Sequence, residues 1–181
     1  MKERISPRRK NYDYTSPGWY FITICTKNRE YYFGEIKNGT IILNDLGKYC
    51  NEEIERLSTR QTVDVHEYIV MPNHIHILLV VSEYPTVGAD HQSALMHNQS
   101  TLNNTSSISG DLSNRPYDGP SLSSIVKLLK GNITKYAQEH NIVFAWQRSF
   151  HDHIIRNTQE YERIKYYIQT NPQNREQDIL A

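Results

Sequence analysis

The segment His74–Val81 reads His-Ile-His-Ile-Leu-Leu-Val-Val, and it narrows the choice of fold more than any other part of the chain. Its β-branched and large apolar residues fit a strand. A second run of the same kind, Val65–Val70, precedes it, and Met71-Pro72-Asn73 forms a short break between the two. The runs are therefore expected to pair as a β-hairpin or to meet at a sharp bend. Side chains on a strand alternate between faces, so His74 and His76 point one way while Ile75 and Ile77 turn toward a core. Two imidazoles about 7 Å apart along a strand can converge on one metal ion. A bare His-x-His pair also occurs on ordinary half-exposed strands, so the pair needs further ligands to be a metal site.

The remaining segments supply a setting. Trp19–Thr26 is aromatic and β-branched and reads as a buried strand. Tyr31–Ile36 and Thr40–Leu43 flank Asn38-Gly39, a pair suited to tight hairpin turns. Asn44 or Asp45 can cap a helix that runs to about Leu57, with Leu46, Cys50, Ile54 and Leu57 along one stripe. A second helix is expected from Ser121 to about Glu139, apolar along Leu122, Ile125, Val126, Leu129, Ile133 and Tyr136. Ile142–Phe144 is a candidate short strand, Trp146–His153 a loop and His153–Arg156 a further strand. Asn157 with Glu160 three residues on resembles a capping box, and Pro172 ends the helix that follows near Asn171. The order strand, helix, strand, strand, helix, strand is the ferredoxin-like α+β order, an antiparallel sheet with helices packed on one face. An early hairpin and a C-terminal helix are added to it. Residues 1–17 read as a basic arm. Residues 82–119, rich in Ser, Asn, Thr, Gly and Asp, read as a flexible insertion in a single domain spanning 1–181.

Net charge is zero, so charge alone neither proposes nor excludes a nucleic acid. Its distribution is uneven. Lys2, Arg4, Arg8, Arg9 and Lys10 face a single acid, Glu3, and Lys127, Lys130 and Lys135 meet none between 121 and 138. Local stripes of this kind can hold phosphates, although they also occur as ordinary solvated faces. Cys25 and Cys50 sit on apolar stretches and read as buried hydrophobes, not as a disulfide or a zinc knuckle. No apolar leader opens the chain, and no stretch approaches the roughly 18–20 apolar residues of a membrane span. A cytoplasmic protein without membrane contact is therefore expected.

Thirteen tyrosines are present, so any one of them needs a positional argument. Tyr167 has one. It shares a helix face with Asn171 one turn on, flanked by Ile164 and Ile168, while Tyr166 points away. If that face meets the sheet, it can offer a phenolic nucleophile and an amide oxygen together. On its own, Tyr167 reads equally well as a packing aromatic.

Met71-Pro72-Asn73-His74-Ile75-His76-Ile77-Leu78-Leu79 resembles the His-hydrophobic-His (HUH) motif of single-strand insertion-sequence transposases. The segment Trp146-Gln147-Arg148-Ser149-Phe150-His151-Asp152-His153-Ile154-Ile155-Arg156-Asn157, with Tyr167-Ile168-Gln169-Thr170-Asn171-Pro172 after it, is more similar to the REP-associated tyrosine transposases. The resemblance covers nearly the whole chain apart from 82–119 and the last few residues. It implies that Tyr167 is the nucleophile, that His74 and His76 bind a divalent metal, Mg²⁺ or Mn²⁺, and that Asn171 is the third protein ligand. In the insertion-sequence branch this last position is usually Gln, one methylene longer. The resemblance further implies single-stranded or hairpin DNA as partner, a 5′-phosphotyrosine intermediate, and either a lone chain or a homodimer.

For DNA contact the sequence offers Arg8, Arg9, Lys127, Lys130, Lys135, Arg148 and Trp146, since an aromatic beside an arginine can stack unpaired bases and hold phosphate. Trp146 is as readily a core anchor. His151 and His153 are open between a second metal site, a phosphate contact and a structural role. Rival readings are a water-using metal hydrolase built on His74, His76 and His151 or His153, and a decayed transposase that binds hairpin DNA without cutting it. A plain RNA-binding module is less suited, because the strand bearing Phe21 and Ile22 reads as buried.

Overall fold

The computed structural model describes residues 17–60, 62–82 and 120–171. The arm expected over 1–17, with Arg8 and Arg9, and the insertion expected over 82–119 lie outside the described residues except for Pro17 and Ser82.

Strand β1 (Gly18–Cys25) leads through a short 3-10 turn into the hairpin β2 (Gly34–Lys37) and β3 (Thr40–Leu43). Asn38 and Gly39 both take positive φ, 52° and 73°, the left-handed pair that a two-residue hairpin turn requires. Helix α1 (Asp45–Leu57) follows, capped by the Asn44 side chain, which accepts the Gly47 N–H at 2.9 Å. Gly47 is favoured by space: a Cβ there would lie 2.1 Å from the Phe33 carbonyl oxygen.

Strands β4 (Val63–Met71) and β5 (His74–Val81) form the expected hairpin, closed by Pro72-Asn73 with Met71 opposite His74. Helix α2 (Leu122–Glu139), strand β6 (His151–Ile155) and helix α3 (Thr158–Thr170) complete the described chain. The sheet order is β4-β5-β1-β6, with every pairing antiparallel. This is the ferredoxin-like order that the sequence predicts.

Both faces of the sheet are covered. Tyr20, Ile22 and Ile24 of β1 with Ile75, Ile77 and Leu79 of β5 pack against α1 and α2. Burying each such side chain stabilises by about 1.5–3 kcal/mol. Between these two helices Glu53 is buried and held by Arg56 and by Asn132 Nδ2 at 2.7 Å. The alternate residues, Trp19 of β1 with Leu78 and Val80 of β5 and Ile155 of β6, pack against Tyr161, Ile164 and Ile168 of α3. Thus α1 and α2 share one face, as expected, and the appended helix takes the opposite one.

Boundaries shift in three places. β2 begins at Gly34 and not at Tyr31, because Phe33 N–H is already committed to the Pro72 carbonyl at 3.0 Å. Ile142–Phe144 is not a strand. The extended contact there is a single bridge from Trp146 to Thr26, while Phe144 turns into the core. β6 begins at His151, two residues before the expected start, because His151 pairs with Thr23. Cys25 and Cys50 are both buried, and neither forms a disulfide among the described residues.

Candidate active site

The face that carries Leu78 and Val80 also carries His74 and His76, so α3 lies over the histidine pair. Both imidazoles are buried. His74 Nδ1 lies 2.7 Å from Asn73 Oδ1. An amide oxygen can only accept, so this nitrogen carries the hydrogen and Nε2 keeps its lone pair. His76 Nδ1 is held at 2.8 Å by Thr23 Oγ1 from the neighbouring strand. The two Nε2 atoms then converge to 3.1 Å. Two ligands about 2.1 Å from one octahedral ion would stand about 3.0 Å apart, so the spacing suits a shared cation.

Tyr167 projects from α3 into this corner. Its hydroxyl lies 3.4 Å from His76 Nε2. Phe21 stacks on His76 with ring centroids 5.2 Å apart and meets Tyr167 edge-on at 6.1 Å. Asn171, at the C-cap of the same helix, is only 1% exposed. Neither its Oδ1 nor its Nδ2 has a hydrogen-bond partner. Buried amides without partners are uncommon, and a cation bound at Oδ1 would account for the oxygen, leaving Nδ2 without a partner. Among the described residues no cluster of three or more His, Cys, Asp or Glu could hold a metal. A metal here would rest on two imidazoles and an amide, and the site's chemistry fits that set.

The other expected residues fall in different places. His151 and His153 lie on the same sheet face, opposite Thr23 and Phe21 respectively. His153 Nε2 meets Glu160 Oε1 at 2.6 Å, and Glu160 Oε2 accepts the Arg156 N–H at 3.0 Å. This ties β6 to the first turn of α3. Burial pushes the Glu160 carboxyl up, but its hydrogen bonds from His153 and Arg156 bring it below the usual range. Trp146 packs against Phe33 and Phe144 and donates its Nε1–H to the Lys130 carbonyl at 3.2 Å. Lys130 donates to the Gln147 carbonyl at 2.6 Å and sits 5.5 Å from the Trp146 ring centre. These two therefore brace the loop before β6. Lys127 and Lys135 are exposed on α2, in the layer across the sheet from Tyr167, and Lys135 pairs with Glu139. Arg148 is exposed on the loop before β6.

Sequence reasoning did not find Thr23, Asn73 or His66. Thr23 is a polar residue inside an apolar strand. His66 occupies a bulge in β4 between Val65 and Glu67. The signal was a slip in the apolar alternation, which runs Val63, Val65 and then Tyr68, Val70.

No family model matches the chain. Over 94% of its length it superposes on 74% of a REP-associated tyrosine transposase solved bound to a REP hairpin, with a TM-score of 0.57 and 18% identity. The chain thus has the fold of a tyrosine transposase. In sequence it is 38% identical over 184 residues to an uncharacterized protein of Haemophilus influenzae, covering 99% of this chain and 94% of that one. It belongs to the same family as that protein. Among the described residues no helix is long and apolar enough to cross a membrane.

Proposed function

We propose that this chain is a metal-dependent single-tyrosine HUH transposase that nicks and rejoins single-stranded DNA, acting on DNA that folds as a hairpin. One observation carries the reading: Tyr167 Oη lies 3.4 Å from Nε2 of His76, which itself converges with His74 on one point. The fold supports it, as does the hairpin bound by the solved neighbour of the same fold.

In this reading His74, His76 and Asn171 hold Mg²⁺ or Mn²⁺, which when bound polarises the scissile phosphate. Tyr167 supplies the nucleophile. Its oxygen bonds to phosphorus in line with the departing 3′-oxygen, the P–O3′ bond breaks, and the phenolic proton ends on the released 3′-hydroxyl. The enzyme keeps the 5′-phosphate as a tyrosine ester, so rejoining to another 3′-hydroxyl needs no outside energy source. A free phenol ionises near 10, which makes orientation and a nearby cation important. Phe21 and His76 restrict the Tyr167 ring, and Asn73 and Thr23 fix both imidazoles with Nε2 facing the corner.

A covalent-capture experiment tests this. The protein is mixed with labelled hairpin-bearing single strands and Mn²⁺, denatured and run on a gel. A labelled protein band is expected that requires metal and is lost in Tyr167→Phe and in His74→Ala. Cleavage that persists in Tyr167→Phe would move the nucleophile to water or to another tyrosine, such as Tyr166. Tight hairpin binding without any cleavage would mark a DNA-binding protein that has lost its chemistry.

A further inference from the structure

A buried polar cluster outside the histidine corner reaches the tyrosine helix at a second point. Tyr161 lies on α3 about one and two-thirds turns before Tyr167. Its hydroxyl is 3.0 Å from His66 Nδ1, and His66 Nε2 is 3.3 Å from Asp64 Oδ2. The Trp19 ring packs edge-on against both, with centroids 4.7 Å from His66 and 5.1 Å from Tyr161. The His66 side chain is 4% exposed and Tyr161 5%.

An aspartate, a histidine and a tyrosine in a row could suggest an activated nucleophile. Burial argues otherwise. It denies DNA access to Tyr161, and desolvation pushes its phenol up, with Glu162, Glu67 and Asp64 adding to the rise. The phenol therefore keeps its proton, and with Nε2–H turned to the Asp64 carboxylate a neutral His66 accepts at Nδ1 from the Tyr161 hydroxyl.

We infer that His66 and Tyr161 are positioning residues for Tyr167, setting the rotation of α3 over the sheet. The inference rests on the proposed reaction. Ile164 and Ile168 hold the helix down by apolar contact, and such contact is non-directional. A hydrogen bond is directional. A tyrosine oxygen stands roughly 8 Å from its helix axis, so a 20° rotation would move it by roughly 3 Å. That is enough to carry Tyr167 out of reach of His76.

The bulge in β4 makes the device available. It turns His66 and Glu67 toward α3 and returns Tyr68 and Val70 to the core register, opposite Ile77 and Ile75. Bulges commonly re-aim side chains in this way. Glu67 accepts from Gln169 Nε2 at 2.8 Å and His153 holds Glu160, but both contacts are solvent-exposed. Exposed contacts hold geometry weakly, which leaves the buried pair as the firm constraint.

The test compares wild type with Tyr161→Phe, His66→Leu and His66→Gln. Gln can accept at its oxygen and donate at its nitrogen, as His66 does, whereas Leu can do neither. Single-turnover cleavage is expected to slow roughly 10- to 100-fold in Tyr161→Phe and His66→Leu, with hairpin affinity unchanged, and His66→Gln should recover most of the rate. An unchanged rate in Tyr161→Phe overturns the inference, as does a loss of affinity that parallels the loss of rate. If wild type itself forms no Tyr167 adduct, the proposed reaction fails instead. Positioning is then read from the nuclear Overhauser contact between the Tyr167 and His76 rings. It should weaken in Tyr161→Phe and His66→Leu, and its persistence there would overturn the inference.

Discussion

Asn73 and Thr23 each grip one imidazole at Nδ1, and this sets the direction of both Nε2 atoms. Outer partners of ligating histidines typically contribute 10- to 100-fold in metal affinity. Asn73→Ala and Thr23→Val are therefore each expected to weaken Mn²⁺ binding by roughly that factor, measured by calorimetry. Tyr167→Phe should leave it nearly unchanged. Gly47→Ala tests a different kind of residue. With a Cβ placed 2.1 Å from the Phe33 carbonyl, the start of α1 must shift, and the melting temperature should fall by several degrees. At this scale the sequence was legible wherever a side chain's placement follows local spacing. His74 with His76, and Tyr167 with Asn171, share faces by simple periodicity. Thr23 and His66 were not legible, since their partners lie on other strands or on a helix far along the chain.

Helix α3 is joined to the sheet at its start by His153–Glu160, within its first turns by Tyr161–His66, and near its end by Gln169–Glu67. The first tether has a pH signature. The Glu160 carboxyl titrates below its ordinary value of 4.5 in the folded protein. Its ionised form thus stabilises the fold above the unfolded pKa, and that contribution fades as pH falls through the folded value. Glu160→Gln should lower the melting temperature at pH 7, with the difference from wild type shrinking as the pH falls through the folded value, checked by paired thermal melts. The Asn157 cap and the helix bounds were readable from local rules, because a cap is satisfied within one turn. The start of β6 was not. His151 and Asp152 carry no strand propensity and are drawn into the sheet by pairing with Thr23 and Ile22. Ile142–Phe144 failed in the opposite sense, as Phe144 packs with Phe33 and Trp146 while Val143 faces solvent, and none of the three joins a ladder.

Across the whole molecule, Tyr167 and the histidine pair meet within one chain. Mixing Tyr167→Phe with His74→Ala should therefore produce no covalent band, because neither variant holds a complete site. A band from the mixture would show that tyrosine helices cross between copies. The sheet order was legible because the alternation of strands and helices leaves few topologies open. Which face the last helix covers was not read from the sequence: it is the one carrying Leu78 and Val80, on the same side as the histidines. The balance of thiols has a practical side as well. Cys25 and Cys50, the only cysteines in the chain, are 2% and 0% exposed, and burial pushes the Cys50 thiol well above its ordinary range. Thiol-reactive dyes should pass over both. Tyr166, adjacent to Tyr167, is 67% exposed. Tyr166→Cys would then carry a single fluorophore beside Tyr167, so that the proposed nicking could be watched one molecule at a time in an otherwise native background.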